Sequence, residues 1–181
     1  MFTIAYAPAP ITPCVIALVV AAASTDLQCR RIPNVLVAAG LVGAFFTQCW
    51  LRGIPDGASA WLAGALVGFG LFLPLYLMRG MGAGDVKLMA AIGAFVGPQM
   101  SVEIAFMTWI IGGVWALAVV VLRGVAKSVG TNMLAILLSR GGLSPTTSGA
   151  ALPSVGSLPY GVAIAVGTLS IMFMHTARVI G

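Results

Sequence analysis

"GMGAGDVKLMAAIGAFVG" occupies Gly80–Gly97 of a 181-residue chain. Its first half holds glycines, one acid (Asp85) and one lysine (Lys87); its second half is a short apolar run. Gly97 and Pro98 stop that run, so a short helix is expected from near Asp85 to Val96. The surroundings decide what kind of helix it is. The chain is 60% hydrophobic and only 7% charged, with a mean hydropathy of +1.09. A soluble domain carries roughly 25% charged residues. This chain has too little polar surface to face water and reads as an integral membrane protein.

Working outward, apolar runs long enough to cross or enter a bilayer follow one another. They cover Ile11–Thr25, Asn34–Leu51, Ala58–Met78, the short Asp85–Val96, Val102–Leu122, and Tyr160 to His175 or beyond. They are continuous, whereas barrel strands alternate. Backbone groups in lipid must be paired within the protein, so helices are expected. "GVAKSVGTNMLAILLSR" (Gly124–Arg140) places Val125, Val129, Met133, Ile136 and Leu137 on one stripe, as in a helix lying on the membrane surface. The Gly-, Ser- and Pro-rich Gly141–Pro159 reads as a loop. The expected fold is an all-α integral membrane protein with six transmembrane helices and an amphipathic cytoplasmic interfacial helix. It forms one polytopic domain over 1–181.

The net charge of +5 suggests no nucleic acid, because the basic residues are scattered near the ends of apolar runs. Arg30, Arg31, Arg79, Lys87, Arg123, Lys127 and Arg140 fall on one side; only Arg52 and Arg178 fall on the other. The first side should be cytoplasmic, with both termini outside and Trp50 and Trp61 at the outer boundary. No Lys or Arg precedes the first apolar run, so that run is expected to be a permanent helix rather than a cleaved signal. Cys14, Cys29 and Cys49 form no C-x-x-C pair, and neither a metal nor any other cofactor is expected. Met78, Met81 and Met89 read as packing, and His175 as a boundary or packing residue.

The four acids are Asp26, Asp56, Asp85 and Glu103. Asp26 and Asp85 share the inner side, each at the membrane edge of a helix, where an ionisable group is costly. Each has an ordinary explanation. Asp26 can pair with Arg30 at i+4, and Asp85 can cap its helix. Both acids on one side, with Gly82 and Gly84 before Asp85, point instead to a shared site. Roughly 0.05 chance G-x-G-D matches are expected at this composition. A glycine turn lets an extended peptide approach the carboxylate.

"TDLQCRRIPN" (Thr25–Asn34) and "GMGAGDVKLMAAIGAFVGP" (Gly80–Pro98) resemble the two signature regions of the type IV prepilin peptidases, of the GxGD class of membrane aspartyl peptidases. "LPYG" (Leu158–Gly161) resembles a further element opening the last helix. The resemblance implies a six-helix bundle with its site toward the cytoplasm and Asp26 and Asp85 as the catalytic pair. It marks Gly82, Gly84, Lys87, Arg30, Arg31, Pro33, Asn34, Pro159, Tyr160 and Gly161 as motif or substrate-approach residues. It implies prepilin or pseudopilin substrates, cleaved after a Gly at the inner membrane of a bacterium. The paired C-x-x-C region of the two-function members is missing, so the chain resembles the short Flp/Tad-type, peptidase-only form, without a methyltransferase-type zinc region. Membrane lipid is the other implied partner.

Two carboxylates hydrolyse a peptide when one is ionised and activates water while the other, protonated, polarises the carbonyl. Two like charges in one pocket titrate as a unit. The dipoles of their own helices favour Asp85 as the base and Asp26 as the acid. Rival readings are a cation transporter, whose acids should lie mid-helix, and a catalytically inactive membrane scaffold.

Overall fold

The structure, a computed structural model, describes residues 10–78, 80–122 and 160–180, and all the regular structure among them is α-helical. The helices are α1 (Ile11–Cys29), α2 (Asn34–Arg52), α3 (Ile54–Leu77), α4 (Ala83–Val96), α5 (Pro98–Leu122) and α6 (Tyr160–Ile180). The expected surface helix over Gly124–Arg140 and the loop over Gly141–Pro159 lie outside the described residues. By its contacts the chain divides into two units, Met1–Ile111 with Pro159–Gly181, and Gly112–Leu158. Everything below concerns the first unit.

The helix boundaries follow local chemistry. α5 starts at Pro98 rather than Val102, because proline's missing N–H costs nothing at the first helical position. Gly97, with φ of 84°, makes the whole turn between α4 and α5. Pro55 likewise sits in the first turn of α3. α1 continues past Thr25 and ends where Arg30 takes a left-handed conformation, φ 50°, its N–H donating to the carbonyl of Asp26. Asp26 therefore lies in the last turn of α1 rather than beyond it.

Five helices (all but α4) are long and apolar enough to cross a membrane. Large apolar side chains such as Val35, Phe46, Trp50, Leu77 and Phe173 face outward. An outer surface of this kind needs lipid around it, and the chain is a multi-pass membrane protein. α4 differs. Its 14 residues extend only about 21 Å, short of the roughly 30 Å hydrocarbon core. It is instead hidden within the protein: every residue from Leu88 to Gly97 is buried. A helix apolar all round belongs inside a bundle.

α3 fastens α4. Gly64 and Gly93 leave no room for a Cβ, each facing the other's carbonyl, and Gly68 faces the carbonyl of Met89 in the same way. Small residues four apart let two helix backbones touch. From α2, the buried Gln48 donates through Nε2 to the carbonyls of Phe95 (2.7 Å) and Ala94 (3.3 Å). These belong to the last turn of α4, whose carbonyls lack partners within the helix. Trp61, placed at the outer boundary by sequence, is half-buried, with its indole N–H donating to the Leu41 carbonyl at 2.9 Å. Trp50 does face outward. His175 is buried and its Nε2 lies 2.7 Å from Glu103 Oε2, joining α6 to α5.

Candidate active site

The site is built where the last turn of α1 meets the first turns of α4 and α6. Asp26 and Asp85 are both buried, at 7% and 8% exposure. They lie 59 positions apart in sequence, yet each is anchored at one of the helix starts that meet here. Asp85 is the third residue of α4, after an N-cap at Gly82. Its Oδ2 accepts the Gly82 N–H at 3.1 Å, so the acid is not the N-cap of its ordinary explanation but reaches back from the third helical position to the N–H of the N-cap residue.

Asp26 does not behave as its ordinary explanation requires. The only ion pair among the described residues is Glu103–His175, so Asp26 is not joined to Arg30. Its Oδ2 instead accepts the backbone N–H of Gly161, 135 positions later, at 3.0 Å. Gly161 is the second residue of α6. This overturns the dipole contrast expected from sequence. Asp26 lies at the C-terminal end of its own helix, but its carboxylate faces the N-terminal end of another. Both carboxylates therefore sit at a helix start, where negative charge is favoured. Each carboxylate commits Oδ2 to one backbone N–H, and neither Oδ1 takes a hydrogen bond among the described residues.

The other motif residues form a frame. The α1–α2 loop lays the buried Ile32 against Gly84, where an added Cβ would meet Ile32 Cβ at 3.2 Å. Pro33, in extended conformation, is the N-cap of α2. Lys87 Nζ donates to Asn34 Oδ1 at 3.1 Å. The two signature stretches are thus joined side by side, and Lys87 has a partner that its position in sequence does not disclose. Gly82 is exposed and Tyr160 half-buried. Arg30 and Arg31 are exposed and form no ion pair with either acid. Pro159 lies outside the described residues.

Among the described residues, no cluster of three His, Cys, Asp or Glu is arranged to hold a metal ion. The acids sequence reasoning kept out of the site stay out of it: Asp56 is exposed in the first turn of α3, and Glu103 pairs with His175. Sequence reasoning missed Gln48, the glycine contact between α3 and α4, and the pairing of His175. Only the glycine contact had a signal, the small-x-x-x-small spacing of Gly64 and Gly68.

No solved structure matches the chain. A curated prepilin leader peptidase/N-methyltransferase of Bacillus subtilis (strain 168) is 34% identical over 115 residues, 62% of this chain and 45% of the relative. The chain thus spans less than half the length of that relative. The sequence pattern of the type IV leader peptidase family matches residues 14–117, a stretch holding both Asp26 and Asp85 and covering more than half of the 181 residues. On that match the chain belongs to the type IV leader peptidase family.

Proposed function

We propose that the chain is an aspartyl endopeptidase that removes the N-terminal leader of type IV prepilins or pseudopilins. Asp26 and Asp85 are its catalytic pair. The observation that carries this reading is the arrangement of the two acids. Both are buried at one meeting point of three helix ends, each anchored by Oδ2 and, among the described residues, without a hydrogen bond at Oδ1. In this reading the two carboxylates share one water. The ionised one takes a proton from that water as it attacks the scissile carbonyl. The protonated one gives its proton toward the carbonyl oxygen. Collapse of the tetrahedral adduct then breaks the C–N bond, with a proton returned to the leaving amine. Since both carboxylates face helix starts, either can begin as the base.

The substrate would enter from the exposed glycine turn at Gly82, which leads directly to Asp85. Arg30, Arg31 and Lys87 stand at the same end of the bundle as both acids. Together with the excess of basic residues on that side, they support a cytoplasmic site and outer termini. The family resemblance supports the finer reading: a Flp-like prepilin in a bacterial inner membrane, cut after a glycine. A cation transporter fits less well, because both acids lie in end turns of their helices rather than at the bilayer midplane.

The test is cleavage of a co-expressed Flp-type prepilin by wild type, Asp26→Ala and Asp85→Ala, with membrane levels of each variant measured alongside. Both variants should leave the precursor intact at normal abundance. Full processing by either one would remove the catalytic pair, and an uncut precursor with the wild type would favour the inactive scaffold.

A further inference from the structure

We infer that Gly161, through its backbone N–H and its missing side chain, is the positioning residue for Asp26. The assignment rests on the proposed catalytic role of Asp26 and gives the opening of α6 a task different from substrate approach. Three observations carry it. The Gly161 N–H donates to Asp26 Oδ2 at 3.0 Å, and this is the only hydrogen bond to that carboxylate among the described residues. Gly161 is buried. A Cβ added to it would stand 2.7 Å from Asp26 Oδ2 and 3.1 Å from Asp26 Cγ.

The first turn of a helix has N–H groups without partners in the helix, and a carboxylate satisfies one of them with a charge-assisted bond. At this position the same atoms also exclude a side chain. Any L-residue other than glycine brings its Cβ against the oxygen that the N–H holds, and the carboxylate must turn away. Asp85 has a comparable anchor within its own turn, since Gly82 is three residues before it. Asp26 has none in α1, where its backbone carbonyl is occupied in ending the helix. The donor has to come from another helix. The orientation of Asp26 is thus set by how α6 docks, although the matched family region ends at residue 117.

Three variants in lipid nanodiscs test this. Gly161→Ala should lower kcat for prepilin cleavage by about 100-fold, the scale of an ångström-sized misplacement, with KM unchanged. Replacing Gly161 by glycolic acid through amber suppression exchanges the N–H for an ester oxygen and adds no volume. It should lower kcat roughly tenfold or more, as losing a hydrogen bond to a charged group does, and it serves if the alanine variant does not fold. Gly167→Ala is the control. It lies on the same helix, and its Cβ would press on Thr108 rather than on the site; it should lower thermal stability and leave kcat per folded molecule unchanged. The infrared carboxyl band that disappears in Asp26→Asn should shift in both Gly161 variants and not in Gly167→Ala. If Asp26→Asn is inactive while the glycolate variant keeps the wild-type band and kcat, Gly161 does not position Asp26 and the catalytic reading stands. If Asp26→Asn cleaves normally, the catalytic reading falls first and the positioning role with it.

Discussion

The two ends of α4 are only about 21 Å apart, yet they are built on opposite plans. At the last turn, backbone carbonyls are given donors, although the buried Oε1 of Gln48 has no partner among the described residues. Gln48 holds two carbonyls, the Ser101 hydroxyl donates to the Gly97 carbonyl at 2.6 Å, and the Gly64 and Gly93 backbones touch. At the first turn, polar groups are left over. Asp85 and Asp26 are buried, but among the described residues each is held by a single N–H. A buried acid with spare bonding capacity lowers stability. The far end supplies the rigidity that makes this arrangement tolerable, through contacts that permit almost no variation in side-chain size. The same short helix is a fastening at one end and a chemical group at the other.

The largest effect should come from the chemical end. Asp85→Asn keeps shape and volume and removes the ionisable group. Prepilin cleavage should fall about 1,000-fold, roughly 4 kcal/mol in the barrier. Thermal unfolding of the purified variant should be unchanged or slightly raised, because a costly buried acid is gone. A variant that loses activity only by unfolding would break the contrast between the two ends.

The fastening end should give the mirror image. Gly93→Val places side-chain atoms against the Gly64 carbonyl and the Ser101 hydroxyl. Neither helix can yield without losing its partner, so a loss of about 3 kcal/mol in stability is expected. The readout is a lowered unfolding temperature in detergent, with kcat per folded molecule close to wild type. Gln48→Leu is milder. It leaves the Ala94 and Phe95 carbonyls without their side-chain donor and should cost about 2 kcal/mol, again in stability and not in kcat.

The two ends also differ in how far they can be read from sequence. The helix limits near Gly97-Pro98 and Pro33-Asn34, and the candidacy of Asp26 and Asp85, rest on local chemistry. Proline and glycine punctuate helices wherever they occur, and an acid in an apolar chain is conspicuous. Partners are not local. Which face of α2 meets α4 decides that Gln48 is a cap, and which face of α6 meets α1 decides that Gly161 holds Asp26. Those rotations depend on how all the helices pack together. The dipole argument for Asp26 fails for the same reason. It used the helix that carries the residue, when the field at the carboxylate also comes from the helix that faces it.

Lys87 sharpens the comparison at its weakest point. It is exposed, it stands two residues after Asp85, and its bond to Asn34 spans the two signature stretches. If that bond only decorates the surface, Lys87→Met should change nothing. If it helps hold the α1–α2 loop over Gly84, both Lys87→Met and Asn34→Ala should lower kcat/KM by about three- to fivefold, the scale of one exposed hydrogen bond of under about 1 kcal/mol. The decisive variant carries both changes. A shared bond can be lost only once, so the double variant should be no worse than the worse single one. Effects that multiply would mean that the two side chains act separately. Lys87 would then belong to neither plan, as a basic residue extended toward the interface.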